Sequence, residues 1–204
     1  MSERRLILSD GGLPSLVAAA LAADEALLAG AGDHPLVVPT PAFPCGEIYA
    51  DAIRRQCERL RLDLLPPVQP TLASADGEGE TRDLLAATYG AARAGASVVV
   101  WPVTAWRGEG IDIDRLAQAA DRALLVGRLV ALDASTHAMP SIRVETPLLD
   151  FSDTQIVDLA ADLGAPIEAV WWWSAEHAEA AAERARWKRA LERVGWPAAR
   201  PARV

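Results

Sequence analysis

The residues of this chain best suited to chemistry lie between its first apolar stretch and its first helical pattern. Leu6–Leu8 is followed by Asp10–Ser15 (Asp-Gly-Gly-Leu-Pro-Ser), which opens an alanine-rich helical pattern. A strand, a glycine turn and a helix N-terminus in this order favour an anion, because backbone N–H groups and the helix dipole point at it. The candidate nucleotide-binding residues are therefore Asp10, Gly11, Gly12 and Ser15.

Asp10 and Pro14 are residue types that a phosphate loop disfavours. A carboxylate ~4 Å from a phosphate, at an effective dielectric of about 20, is repelled by about 4 kcal/mol. Pro14 has no N–H to donate, although its fixed φ suits a first helical turn. We predict that Asp10 is the helix N-cap and fills the anion site with its own carboxylate. The alternative role for Asp10 is a ligand of nucleotide-bound magnesium, and we predict no catalytic residue.

Length, charge and cysteine content limit the class of protein. The 204 residues allow one domain, 1–204, with a single core. The formal net charge of −8 argues against nucleic-acid binding through a basic surface. No stretch has the length of a membrane span, no signal-peptide pattern is present, and two cysteines do not make a disulfide framework. We therefore expect a cytoplasmic protein that binds neither nucleic acid nor membrane.

Strand-like and helical patterns alternate along the chain, which predicts an open, mostly parallel α/β sheet with helices on both faces. The predicted strands are Leu6–Leu8, Leu36–Val38 and Ser97–Val103. The predicted helices are Pro14–Ala29, Ile48–Leu62, Thr81–Ala94, Asp114–Leu129, one from the capping box Ser152–Gln155 to Gly164, and Ser174–Val194. The polar segment Ala73–Glu80 is predicted to be a surface loop. On the fourth helix the predicted apolar face comprises Leu116, Ala119, Ala120, Ala123 and Leu124.

Two segments near opposite ends of the chain resemble the motifs of one family. Asp10–Ser15 resembles the Ser-Gly-Gly-x-Asp-Ser loop of PP-loop ATP pyrophosphatases. Glu145–Val157, then Leu163-Gly164 and Trp173-Ser174, resembles the Thr-Pro-Leu … Lys-x-Glu-Ile-Val … Leu-Gly … Trp-Ser-Cys run of 7-cyano-7-deazaguanine synthases, the QueC or ExsB family. Ala190–Gly195 is similar to that family's ending. The resemblance implies a Rossmann-like fold of the adenine nucleotide alpha hydrolase type.

The resemblance also implies that several functional residues of the family are replaced here. The loop serine and aspartate fall on Asp10 and Pro14, and the lysine of the late run falls on Asp153. The family's Tyr-Gly-Gln-Arg-His run falls on Cys45–Tyr49, where only the glycine is kept. Its four zinc cysteines would fall on Ala175 and about Ala178, Ala181 and Arg184, none of which is a zinc ligand. We therefore expect no zinc or other metal, and a helical extension over 165–204 in place of the zinc region.

Two functional hypotheses follow, with a third behind them. The first is a degenerate QueC-like protein without ATP pyrophosphatase activity and without a cofactor, which binds a small molecule or a protein partner. The second is an active synthase that uses ATP with magnesium to turn 7-carboxy-7-deazaguanine into its nitrile, as the resemblance implies. The third is a diverged enzyme for another nucleotide, with Asp10 as a metal ligand. The resemblance is also compatible with a homodimer.

The tryptophans allow two interpretations each. In a strand, Trp171 and Trp173 would share one face and Trp172 the other, so this run serves either core packing or a partner surface. Trp101 and Trp106 flank the end of the third predicted strand, where ligands of open α/β sheets bind. We expect them to seal the sheet end, and stacking on a planar base is the alternative.

Other polar residues are given structural interpretations. We favour a buried thiol over an exposed nucleophile for Cys45, because no partner histidine is identifiable. A solvated loop and a helix N-cap explain three acidic residues better than a cation site does: Glu109, Asp112 and Asp114. The histidines show no ligand spacing: His34, His137 and His177.

Overall fold

The alternation of apolar strands and helices produces one parallel sheet with helices on both faces. The computed structural model describes residues 3–30, 32, 34–40, 46–67, 77–107, 110–136 and 141–196. The strands are β1 (Arg5–Ser9), β2 (Leu36–Pro39), β3 (Asp63–Leu64), β4 (Val98–Val100), β5 (Trp106–Arg107), β6 (Gly110–Ile111) and β7 (Arg143–Glu145). Five of them form a parallel sheet in the order β3-β2-β1-β4-β7, and β5 pairs antiparallel with β6. The predicted open α/β fold is confirmed.

The helices follow the predicted order with shifted ends. They are α1 (Leu13–Leu28), α2 (Glu47–Leu60), α3 (Gly77–Arg93), α4 (Ile113–Thr136), α5 (Asp153–Asp162) and α6 (Ala178–Arg193), with a 3-10 turn over Ile167–Ala169. Residues 77–80 belong to α3, so the predicted surface loop is wrong there, and residues 73–76 lie outside the described part. The predicted capping box is confirmed, since the Gln155 backbone N–H donates to Ser152 Oγ and the Ser152 N–H donates to Gln155 Oε1.

Strand side chains alternate between two hydrophobic cores because successive residues of a strand point to opposite faces. Ile7, Val37 and Val98 pack with residues of α1, α2, α5 and α6. Leu6, Leu8 and Val99 pack with residues of α3 and α4 on the other face. The sheet is therefore buried on both sides, as its valine-rich strands require.

The buried face of α4 differs from the predicted one. Its buried residues include Ala119, Ala123, Val126 and Val130, and Leu116 is partly buried. Ala120 and Leu124 are exposed, so the predicted face is wrong for these two. Apolar residues occur on every side of this helix, and for that reason their spacing does not single out one buried stripe.

Chain order places a crevice at the carboxyl ends of β1 and β4. From β1 the sheet continues through β2 to β3, and from β4 it continues to β7. Ligands of open α/β sheets bind where the strand order reverses in this way. The segment Asp10–Ser15 directly follows β1 and therefore lies at this position. Among the described residues, no helix is long and apolar enough to cross a membrane.

Candidate functional site

The loop after β1 satisfies its own hydrogen-bond donors. The backbone N–H of Gly12 and the hydroxyl of Ser15 both donate to Asp10 Oδ1, each at 2.8 Å. The N–H of Gly11 donates to Ser9 Oγ at 3.2 Å. Gly11 has a φ of 71°, a left-handed conformation that strains any residue with a side chain. The turn thus directs two backbone donors at side-chain oxygens of the chain itself.

Asp10 is not the N-cap of α1, so this prediction is wrong. The N-cap of α1 is Gly12, which makes no side-chain capping bond, and Pro14 lies in the first turn. Asp10 instead accepts the N–H of the residue two places later, a local contact typical of aspartate in turns. Its carboxylate nevertheless lies at the helix N-terminus, where a bound anion would otherwise accept these donors.

The back of the loop is fixed by residues distant in sequence. The carbonyl oxygen of Gly11 accepts from Gln56 Nε2 at 3.0 Å and from the backbone N–H of Trp171 at 3.1 Å. Gln56, which is 2% exposed, also donates to the carbonyl of Ala169 at 3.3 Å. A side-chain carbon added at Gly11 would lie 3.3 Å from Ile53 Cγ1. Sequence reasoning missed Gln56, because a glutamine in an amphipathic helix carries no sign of burial.

The tryptophan run forms a turn, so the alternation of faces that a strand would give does not apply to it. Trp171–Trp173 follows the 3-10 turn, and Trp171 and Trp172 are both buried. Trp173 is partly buried against the first core. The ring of Trp171 stacks parallel to that of His177 at 5.6 Å. Of the two interpretations, core packing therefore accounts for Trp171 and Trp172.

Arg184 joins this turn to α6. Its guanidinium donates to the carbonyl of Trp172 at 2.6 Å and to that of Ala175 at 2.5 Å. Ala175 and Arg184 are two of the positions onto which the resemblance places zinc cysteines. In the described residues no group of three or more His, Cys, Asp or Glu side chains is placed to hold a metal ion. Helix α6 begins at Ala178, later than the predicted Ser174, with His177 as its N-cap.

A cavity of about 390 Å³ opens beside the loop at the carboxyl ends of β1, β2 and β4. Asp10, Gly12 and Pro14 line it on one side, and Trp101 and Trp171 contribute aromatic surface. Its charged lining comprises four carboxylates and two guanidinium groups, Asp10, Glu80, Asp83, Glu183, Arg115 and Arg186. Negative side chains therefore outnumber positive ones.

Several of these charges are already engaged within the chain. Arg186 binds both carboxylate oxygens of Asp153 at 3.0 and 2.8 Å, and Glu80 pairs with Arg122. Burial raises the pKa of the Asp83 carboxyl above its usual range. The Nε of Arg115 donates to the carbonyl of Thr104 at 2.9 Å. Because Asp153 neutralises Arg186 and Arg122 neutralises Glu80, the cavity lining keeps an excess of negative charge.

The remaining candidates fall in different places. Trp101 is 8% exposed and lines the cavity, with the Arg122 guanidinium carbon 6.0 Å from its ring centroid. Trp106 lies in β5. Asp112 Oδ1 accepts the N–H of Arg115 at 3.0 Å and so caps α4. His34 and Asp114 are exposed, and three candidates lie outside the described residues, namely Cys45, Glu109 and His137.

No family model and no curated protein matches the chain. Similar solved structures include the U34-tRNA thiolase NcsA from Methanococcus maripaludis with its 4Fe–4S cluster, at 14% identity and a TM-score of 0.49 over 81% of this chain. This chain spans 57% of that thiolase. The phosphoadenylyl-sulfate reductase of Candida auris, in a phosphate complex, is 12% identical with a TM-score of 0.40, covering 81% of this chain and 75% of that one. The NMN synthetase of Francisella tularensis is 15% identical with a TM-score of 0.40, and the match covers 96% of this chain and 79% of that one.

Proposed function

We propose that this chain is a PP-loop-type protein, degenerate relative to 7-cyano-7-deazaguanine synthases, that does not turn over ATP. It is a cytoplasmic protein of one domain that binds a small molecule or a protein partner at the cavity beside the loop. The observation that carries this proposal is the position of Asp10. Its Oδ1 accepts both the Gly12 N–H and the Ser15 hydroxyl at 2.8 Å.

ATP does not fit this loop, because the carboxylate of Asp10 already occupies donors that a phosphate would need. A phosphate oxygen at the same place would also lie close to a like charge. A repulsion of about 4 kcal/mol corresponds to roughly a thousandfold in affinity. Pro14 in the first helical turn removes one further donor. The residues present therefore do not fit a triphosphate.

The cavity itself remains available to a different ligand. Trp101 and Trp171 contribute apolar surface, and Asp83 and Glu183 add carboxylates beyond that of Asp10. A neutral or cationic group matches this lining better than a polyphosphate does, because opposite charges attract and cations are favoured over indole faces. The ligand class we propose is a small molecule without a phosphate chain.

The alternative function is an ATP-dependent synthase that forms 7-cyano-7-deazaguanine. One observation favours it: Ser15 offers a hydroxyl in the first turn of α1, beside a cavity at the strand ends. Such an enzyme would use ATP with magnesium. It requires Asp10 to release Gly12 and Ser15 or to hold the metal.

Turnover distinguishes the two functions. The full chain is incubated with ATP, magnesium, ammonia and 7-carboxy-7-deazaguanine, and the release of AMP and pyrophosphate is measured. We expect no release above a protein-free control, and no change on Ser15→Ala. Release by the unmodified chain that disappears on Ser15→Ala would establish the synthase and overturn our proposal.

A further inference from the structure

Helix α4 carries an apolar face that the described fold does not cover. Leu124 is 52% exposed, Leu125 63%, Leu129 47% and Leu132 68%. Exposed leucines occurring singly are ordinary, but four on one helix within nine positions concentrate apolar surface on the exposed side of that helix. The opposite side of α4 packs on the second core through Ala119, Ala123, Val126 and Val130. The leucine face is therefore not needed to anchor the helix to the sheet.

Two exposed charges of opposite sign lie on this face. Asp121 and Arg128 are seven positions apart, close to two full turns, so both project in nearly the same direction. Leu124 and Leu125 lie between them. When a second copy of the helix is laid antiparallel with its midpoint between Leu124 and Leu125, Asp121 of each copy faces Arg128 of the other. The face is thus complementary to itself, as a twofold interface requires.

Neighbouring positions also suit close contact in this register. Small side chains at Ala117 and Ala120 are exposed on the same helix. In the antiparallel arrangement they face Leu132 and Leu129 of the other copy, so that a large residue meets a small one. Leucines opposite alanines interdigitate more closely than leucines opposite one another, which favours dense packing.

We propose that α4 mediates self-association into a twofold dimer, in which two α4 helices pack antiparallel. Leu124 of each copy packs on Leu125 of the other, Leu129 and Leu132 pack on the opposing alanines, and two reciprocal Asp121–Arg128 ion pairs set the direction and the register. The occupant of the leucine face is a second copy of this chain, since a helix of unrelated sequence would not reproduce the paired charges. This inference is independent of what the cavity binds.

The test is a charge exchange followed by sedimentation velocity on the full chain. The unmodified protein is expected to form a detectable dimer as its concentration is raised to about 100 µM. Asp121→Arg or Arg128→Asp alone places like charges opposite each other twice per dimer, and each is expected to raise the dissociation constant at least about tenfold. The double variant restores both ion pairs in reversed sense and is expected to restore dimerisation.

Each outcome decides the proposal. Dimerisation lost in both single variants and regained in the double variant supports it. A monomeric unmodified protein would overturn it and leave the leucine face to a different partner. Single variants that dimerise like the unmodified chain, or a double variant that stays monomeric, would overturn the antiparallel register. Leu125→Gln, expected to weaken the dimer, has Leu28→Gln as its control, because Leu28 is 79% exposed on α1.

Discussion

The side chain of Gln56 donates a hydrogen bond to the carbonyl oxygen of Gly11 at 3.0 Å, across 45 positions of the sequence. The same amide nitrogen lies 3.3 Å from the carbonyl of Ala169, just before the tryptophan turn. One buried amide on α2 therefore connects the loop after β1 to the segment that covers it. The conformation of the loop depends on this connection as well as on its own glycines.

Replacing Gln56 with leucine is expected to lower the free energy of unfolding by roughly 1–3 kcal/mol. Leucine nearly keeps the volume of the glutamine side chain. The carbonyl of Ala169 loses the donor from Gln56, and the carbonyl of Gly11 keeps the N–H of Trp171. Urea denaturation measures the loss. Arg55→Leu, exposed on the same helix, is the control and should stay within about 0.5 kcal/mol. Equal stability of the two variants would show that the amide does not brace the loop.

Arg184 is expected to stabilise the tryptophan turn where the resemblance places a zinc site. Arg184→Ala removes donors from the carbonyls of Trp172 and Ala175 and should cost roughly 1–3 kcal/mol, with a changed tryptophan emission spectrum. Arg184→Lys can keep one of the two contacts, so its free energy of unfolding should lie between those of the unmodified protein and Arg184→Ala. The exposed Arg189 on the same helix provides the control Arg189→Ala. An unchanged spectrum and stability in Arg184→Ala would contradict this role.

Cys57 is expected to be unreactive while the protein is folded. Burial, and to a smaller extent the nearby carboxylates of Glu58 and Asp63, raise the pKa of its thiol to about 11. In the variant Cys45→Ser, labelling by an aromatic disulfide reagent at about pH 8 should be at least roughly a hundredfold slower than in the unfolded chain, because little thiolate is present. Labelling at the unfolded rate would show that the thiol is accessible.

The same raised pKa makes stability depend on pH in one direction. Between the unfolded pKa of about 8.5 and the folded value near 11, the unfolded thiol has lost its proton and the folded thiol has not. The contribution of Cys57 is therefore fully present below about pH 8.5 and is lost as the pH rises toward the folded value. Comparing Cys45→Ser with the variant that also carries Cys57→Ala, by urea denaturation across this range, isolates the effect; parallel pH profiles would contradict it.

Local signals in the sequence predicted much of the fold. The glycine turn after Leu6–Leu8 and the Ser152–Gln155 capping box act over a few residues, and the structure has both. The parallel sheet also follows from the alternation of short apolar runs with helical patterns. These features depend on neighbours in the chain, which a single sequence displays.

Features set by distant contacts could not be predicted in the same way. The turn over Trp171–Trp173 could not be predicted, because three large apolar residues suit a strand and a buried turn equally. The burial of Gln56 and the exposure of Leu124 depend on which elements pack against their helices. The capping position of Asp10 was wrong because the turn places Gly12 at the start of the helix.

The central claim is that the Asp10 carboxylate blocks phosphate binding at the loop after β1. Its most direct test is calorimetry of ATP with magnesium against two chains, the unmodified protein and Asp10→Ser. Serine removes the charge that occupies Gly12 and Ser15 and shortens the side chain. We predict no detectable binding to the unmodified protein at millimolar ATP, and measurable, magnesium-dependent binding to Asp10→Ser. Micromolar, magnesium-dependent binding to the unmodified protein would contradict the account.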